Sequence, residues 1–292
     1  MLSSIRSKLA ALALPVALFA AQSAHATLAW ALVTNPPSAG NNSRLYTFDT
    51  ATPGNFTLKG DSLSLAGQFP SGLDFDNAGN LFASTNLATN FLTTINPNTG
   101  AASNPRGSGL AAGFTISDLS WDRLNNRMLA LATQGVSGTS PQIYQLNTTT
   151  GAATFLGTVA ADTDGVDVSL AVRADGQIFL HGVATDRWYS VNPNTFVGTP
   201  LGLEGVDTNF GQGGTFDHST TTLYHAAFNN TSFAGELWSV NQVSGAGTFL
   251  GAFGTNLGLS TLQITDMAIP VPEPTCAALL GLGGVTLLRR RR

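Results

Sequence analysis

The sequence predicts an all-β protein, and most specifically a β-propeller of five four-stranded blades. The first observation is composition: the 292 residues include 32 Gly, 43% are hydrophobic and only 10% are charged. Glycine disfavours helices, whereas an apolar fraction of this size supports a folded core. The second observation is a strand-like motif that recurs five times, and the third is that further strand-like segments fill the intervals. Four strands repeated every roughly 40 to 50 residues are typical of a propeller blade.

The recurring motif runs from aromatic or apolar residues through a polar and an aliphatic residue to Asp or Asn, and a turn follows. The five copies end at Asp49, Asn96, Asn147, Asn192 and Asn241, so their spacings are 47, 51, 45 and 49. Asp and Asn side chains cap turns by accepting backbone N–H groups, and the Gly that follows in several copies suits a left-handed backbone. Each copy therefore predicts the third strand of a blade and the hairpin that leads to the fourth.

A second hairpin in each interval supplies the first two strands of a blade. In one interval, residues 170–173 and 177–180 flank the turn Ala174-Asp175-Gly176. The corresponding pairs elsewhere are 73–76 with 80–83, 119–122 with 127–130, and 214–217 with 222–225. Gly and Asp are typical of such turns. Each period therefore contains four short strands.

The fifth blade is predicted to combine strands from both ends of the propeller domain, residues 27–269. Residues 264–269 resemble a first strand without a second, and residues 29–33 resemble a second strand without a first. Joining them closes the ring and removes open sheet edges. Closure also matters because the single cysteine, Cys276, excludes an intramolecular disulfide. A β-sandwich with coincidental spacing remains the alternative.

Residues 1–26 have the pattern of a secretory signal peptide. Arg6 and Lys8 precede an apolar run over residues 9–21, and Ala24-His25-Ala26 forms a small-residue cleavage site. This order is the one that signal peptidase recognises. We expect the mature chain to begin at Thr27, and a first transmembrane helix is the alternative.

The C-terminal residues 270–292 have three consecutive parts. Pro272, Glu273 and Pro274 come first, an apolar segment covers residues 275–288, and Arg289, Arg290, Arg291 and Arg292 end the chain. The tail resembles the PEP-CTERM sorting signal of Gram-negative bacteria. The resemblance implies recognition by an exosortase, a membrane peptidase, and a host that produces exopolysaccharide and forms biofilm or flocs.

The physical properties of the tail agree with a transient inner-membrane anchor. As a helix, the 14 residues of the apolar segment would span about 21 Å, which is less than the roughly 30 Å bilayer core. The Arg cluster favours the cytoplasmic side. Residues 27–274 would then lie on the other side of the inner membrane from the cytoplasm, where the signal peptide would also direct them. The protein would finally reach the cell surface or extracellular matrix. An unprocessed membrane anchor is the alternative.

The charge distribution argues against nucleic-acid binding. The net formal charge is −4, but residues 27–274 contain 7 Arg and Lys against 17 Asp and Glu, which gives 7 − 17 = −10. An acidic body without a basic stripe lacks the electrostatic basis for binding phosphate backbones.

Asp118 and Asp266 are the candidate metal ligands. They occupy equivalent positions in predicted first strands, which line the central channel of a propeller, whereas Gly72, Ser169 and Gly213 hold the matching positions in the other blades. Two carboxylates facing a channel could bind Ca²⁺ together with backbone carbonyls. Capping of a neighbouring turn is the alternative, and no other cofactor is predicted.

His181 and His225 lie on predicted second strands of neighbouring blades. Aligned blade to blade, they are one position apart. Because side chains alternate along a strand, we expect the two imidazoles to point to opposite faces, which argues against a shared metal site.

Two functions are consistent with these observations. The first is a non-catalytic surface or matrix protein whose loops bind neighbouring molecules or extracellular polysaccharide. The alternative is a secreted enzyme of the lactonase or glycan-lyase type that uses a channel cation. Only Asp118 and Asp266 converge on the predicted channel, and no catalytic residue is identified, so the sequence favours the first function.

Overall fold

The computed structural model describes residues 26–34, 43–61, 70–85, 91–134, 140–160, 166–258 and 261–270. Ala26 is exposed at the start of these residues, whereas Ala24, the Pro-Glu-Pro motif and the Arg cluster lie outside them. The signal peptide and the sorting signal therefore stay predictions. Within the described ranges, no helix has the length and apolar character needed to cross a membrane.

Across the described ranges, twenty strands form five antiparallel sheets of four strands each. From the innermost strand outward, blade 1 consists of β4 (Pro70–Phe75), β5 (Leu81–Thr85), β6 (Phe91–Ile95) and β7 (Ala102–Gly107). Blade 2 consists of β8 (Thr115–Asp122), β9 (Arg127–Thr133), β10 (Gln142–Leu146) and β11 (Ala153–Thr158). Blade 3 consists of β12 (Asp167–Val172), β13 (Ile178–Gly182), β14 (Arg187–Val191) and β15 (Gly198–Leu203).

Blade 4 consists of β16 (Thr208–Asp217), β17 (Thr222–Asn229), β18 (Ala234–Val240) and β19 (Gly247–Ala252), and a short 3-10 helix follows at Thr255–Leu257. Blade 5 consists of β20 (Gln263–Ala268), β1 (Leu28–Thr34), β2 (Arg44–Asp49) and β3 (Thr52–Asp61). The innermost strands contact one another in the closed cycle β4, β8, β12, β16, β20 and back to β4. This ring confirms the five-bladed propeller and excludes the sandwich of two facing sheets.

Blade 5 closes the ring with strands from both ends of the domain, as predicted. β20 pairs antiparallel with β1, so that Trp30 lies opposite Ala268 and Ala31 lies opposite Met267. The main chains of the first and last strands are therefore joined by a ladder of hydrogen bonds. The core lies between the blades, where buried apolar residues of adjacent sheets pack together.

The predicted turns after the repeated motif are also confirmed. Asn147 Oδ1 accepts hydrogen bonds from the backbone nitrogens of Thr149 and Thr150, both at 2.9 Å. Gly151 closes the turn with a φ of 81° and donates its N–H to the carbonyl of Asn147 at 2.7 Å. In blade 3, Phe196 takes the left-handed position with a φ of 54°. The sequence motif therefore encodes the turn through its Asn rather than through an obligatory Gly.

One glycine marks the contact between blades 5 and 1. Gly60 lies on the outermost strand β3, against the turn that contains Thr99. A Cβ atom at Gly60 would lie 1.9 Å from the Thr99 carbonyl oxygen. No side chain fits at this distance, so the close approach of the two blades requires glycine here.

Candidate functional site

A pocket lies on the propeller axis, at the end where the innermost strands begin. We call it the axial pocket. Its volume is about 360 Å³, and all five innermost strands contribute to its lining. The polar side chains of these strands in the lining are Ser71, Thr115, Ser117, Asn209, Gln263 and Thr265. None of the lining residues among the described part of the chain is ionisable at neutral pH, so the pocket offers neutral hydrogen-bonding groups.

Phe210 gives the axial pocket an exposed aromatic ring. A bulge in β16 separates the pairs Thr208–Asn229 and Gln212–Ala227, so that three residues of β16 lie opposite one residue of β17. Asn209 Oδ1 accepts a hydrogen bond from Gly211 N at 2.8 Å and holds the bulge. The Phe210 side chain is 65% exposed. Because Phe210 lines the axial pocket, its ring can contact a ligand bound there.

Asp118 and Asp266 each follow a residue of the axial pocket's lining, Ser117 and Thr265 respectively. Both aspartate side chains are fully buried and hydrogen-bond to each other. The structure thus brings together the two acids that the sequence aligned. Burial raises the pKa of both carboxyl groups well above the usual range, and the charge of Asp118 raises that of Asp266 further.

The same two aspartates join neighbouring innermost strands. Asp118 accepts hydrogen bonds from the backbone nitrogens of Leu119 at 2.7 Å and of Leu170, on blade 3, at 2.6 Å. Asp266 accepts from Met267 N at 2.6 Å and from Leu73 N on blade 1. These contacts give the pair a strand-joining role, and the predicted calcium site stays a prediction.

A cluster of two histidines and one glutamate lies between blades 3 and 4. His181 and His225 keep the predicted offset of one position, but the expectation that this offset argues against a shared site is wrong. Their ring centroids are 4.6 Å apart. Glu204 Oε2 lies 2.8 Å from His225 Nδ1 and 3.2 Å from His181 Nε2. Blades pack face to face, so one face of blade 3 meets the opposite face of blade 4. Residues one position out of register on neighbouring blades therefore face each other.

The cluster, which we call the His–Glu cluster, is held by further hydrogen bonds. Trp188 Nε1 donates to Glu204 Oε2 at 2.9 Å, and His225 Nε2 lies 2.7 Å from Gln212 Oε1. Gln212 Nε2 donates to the carbonyl of Asn209 at 2.6 Å, which fixes the amide orientation. Sequence reasoning missed Glu204, because it lies in the connection between β15 and β16 and carries no motif.

The protonation of the His–Glu cluster follows from burial and charge. All three side chains have no exposed surface. Burial acts to raise the pKa of Glu204, but the charge and hydrogen bond of His225 outweigh it and lower that pKa below its ordinary value. Burial, with the charge of His225, lowers the pKa of His181 to about 3, so this imidazole is neutral. Its ring nitrogens and Glu204 Oε1 lack a well-aligned hydrogen-bond partner.

Comparisons with known proteins give a distant likeness to other propellers. No family model and no curated protein matches the sequence. An auxiliary nutrient binding protein from Bacteroides ovatus is 14% identical with a TM-score of 0.44, over 63% of this chain and 42% of that protein. The chain therefore matches less than half the length of that protein.

Two further structures carry the names of enzymes. A presumed gluconolactonase is 11% identical with a TM-score of 0.47, over 77% of this chain and 81% of that protein. Virginiamycin B lyase from Staphylococcus aureus is 13% identical with a TM-score of 0.39, over 62% and 55% of the two chains. None of these likenesses reaches a TM-score of 0.5, so we draw no function from them.

Proposed function

We propose that this protein is an exported, non-catalytic binding protein that recognises neutral polysaccharide through its axial pocket. The observation that carries the proposal is the pocket itself, which combines neutral hydroxyl and amide groups with the exposed ring of Phe210. Sugars present hydroxyl groups that hydrogen-bond to such side chains, and their C–H faces pack on aromatic rings. Pockets with a few convergent polar groups are typical ligand sites.

Electrostatics favour a neutral ligand over an acidic one. Residues 27–274 carry a formal charge of −10 by the count above, and no basic side chain lines the pocket among the described residues. An anionic polymer would be repelled by this field. A neutral glycan chain lacks this penalty.

The alternative, a secreted lactonase or glycan lyase, needs a base, an acid or a cation in contact with the substrate. Asp118, Asp167 and Asp266 each adjoin a lining residue along an innermost strand, but all three side chains are fully buried, and Asp118 and Asp266 accept hydrogen bonds from backbone amides. General acid–base catalysis requires a group within hydrogen-bond reach of the substrate. The geometry therefore supports binding better than turnover.

The two ends of the sequence support the cellular part of the proposal. We propose that signal peptidase removes residues 1–26 and that an exosortase recognises Pro272, Glu273 and Pro274. The inner membrane would hold the chain only transiently before release to the cell surface or exopolysaccharide matrix. A glycan array probed with the purified chain tests the binding part. We expect the protein to bind neutral glycans and not acidic ones. The proposal would be overturned if no neutral glycan on the array bound the protein, or if the protein turned over a lactone or glycan.

A further inference from the structure

We propose that His181, Glu204 and His225 form a metal site for a divalent transition metal, with Zn²⁺ as the best fit, buried between blades 3 and 4. The donor atoms are His181 Nε2, Glu204 Oε2 and His225 Nδ1. One donor atom from each residue lies within 4.8 Å of the other two. The site is separate from the axial pocket, and the inference does not rest on the proposed binding function.

The donor set identifies the class of metal. Two imidazole nitrogens and one carboxylate oxygen form a combination that zinc takes in proteins, at distances of about 2.0 to 2.2 Å. Ca²⁺ and Mg²⁺ prefer sites made of oxygen atoms. Small rotations of the three side chains would bring their donors around one ion, since two of the donor separations are already 2.8 and 3.2 Å.

The outer contacts orient the donors as they do in known metal sites. A histidine that binds a metal usually donates its other ring N–H to a carbonyl or carboxylate. Gln212 Oε1 provides this acceptor for His225 Nε2, because the Gln212 amide nitrogen is engaged by the Asn209 carbonyl. His225 Nδ1 is then the nitrogen directed at Glu204. Trp188 holds the Glu204 carboxylate through its indole N–H.

The unsatisfied atoms of the cluster are the independent sign of a ligand. A buried polar atom without a partner destabilises the folded state. Both ring nitrogens of His181 and Glu204 Oε1 are buried without a well-aligned partner. An ion pair between Glu204 and His225 would leave His181 unexplained. A metal ion gives a role to all three residues.

A bound metal would fasten blade 3 to blade 4. His181 lies on β13, Glu204 on the connection between the blades, and His225 on β17. A metal ion that binds only the folded state stabilises that state by mass action. It would also serve as a cross-link in a chain whose single cysteine excludes an intramolecular disulfide.

The test uses the full chain, unfolded with a chelator and refolded with either Zn²⁺ or chelator present. We expect one zinc per chain after dialysis, by elemental mass spectrometry, and a higher melting temperature than in the chelated sample. His181→Gln should lose at least tenfold in bound zinc while circular dichroism shows a folded sheet. His218→Gln is the matched control, because this histidine lies outside the cluster, and it should bind zinc as the wild type does.

Glu204→Gln gives a second variant that removes the carboxylate but keeps the side-chain volume. It should also lose zinc, with or without a change in stability. Folded wild-type protein that retains no zinc after refolding would overturn the proposal. So would a folded His181→Gln variant with zinc content and a zinc-dependent melting shift equal to those of the wild type.

Discussion

His181 on blade 3 faces His225 on blade 4 across the interface between the blades, with ring centroids 4.6 Å apart. The two residues occupy different registers, since His181 lies opposite Ser169 and His225 lies opposite Gly214 in their respective sheets. The offset by one position is what turns their side chains toward each other. Residues that meet between neighbouring blades can therefore be found by comparing one face of a blade with the opposite face of the next blade.

Gly60 is expected to be irreplaceable for steric reasons. Gly60→Ala would place a Cβ 1.9 Å from the Thr99 carbonyl, so blades 5 and 1 would have to separate. We expect a loss of about 1 to 3 kcal/mol in the free energy of unfolding. Gly107→Ala is the control, because a Cβ there meets no atom within 4 Å. Urea unfolding of both variants measures the difference, and equal stabilities would contradict the close contact.

The five-bladed fold could be predicted because its signal is local and repeated. The motif that ends at Asn147 specifies a strand and its turn within a few residues, and each blade provides another copy. The candidate site could not be assembled in this way. Thr115, Asn209 and Thr265 meet only because three different blades converge at the axis. Glu204 likewise joins the His–Glu cluster only because blades 3 and 4 pack together.

Asp74 should make the stability depend on pH. Burial raises its pKa to about 6 from an ordinary value of 3.8, and the backbone N–H groups of Trp121 and Phe75 and the charge of Arg123 only partly oppose this. The folded state therefore holds the proton more tightly than the unfolded state does. The resulting stabilisation is complete below about pH 3.8 and is lost as the pH rises through about 6.

The variant Asp74→Asn isolates this effect. Relative to the wild type, its free energy of unfolding should rise by about 3 kcal/mol from about pH 3.5 to about 7.5, because only the wild type loses this stabilisation. One pKa unit corresponds to about 1.4 kcal/mol. Titrating groups that do not interact with Asp74 cancel in the difference, whereas Asp118 and Arg123, which interact with its charge, contribute a smaller remainder. Urea unfolding at the two pH values measures it. Parallel pH profiles of the two proteins would show that Asp74 is not perturbed.

Asp118 should stabilise the ring through its two backbone hydrogen bonds. An asparagine has one acceptor oxygen and cannot accept from both Leu119 and Leu170, so Asp118→Asn should lose about 1 to 3 kcal/mol. This loss should be the same with calcium or chelator. The predicted calcium site with Asp266 gives a different outcome, because calcium would then raise the melting temperature of the wild type and not of the variant.

The proposed sorting can be read from the ends of the mature protein. Intact mass spectrometry of the chain from a Gram-negative host that has an exosortase should show an N-terminus at Thr27. It should also show the absence of Arg289, Arg290, Arg291 and Arg292. Full-length C-termini recovered from the cell surface would instead indicate an unprocessed anchor. The same chain in a host without an exosortase provides the control.

The most direct test of the central claim is the affinity of a neutral glycan for the axial pocket with and without the Phe210 ring. Calorimetric titration of the best neutral ligand should give a Kd roughly tenfold higher for Phe210→Ala, which corresponds to about 1.4 kcal/mol. The control Phe155→Ala removes a ring that is 52% exposed on the outermost strand β11, and it should bind as the wild type does. Unchanged affinity in Phe210→Ala, or equal losses in both variants, would contradict binding in this pocket.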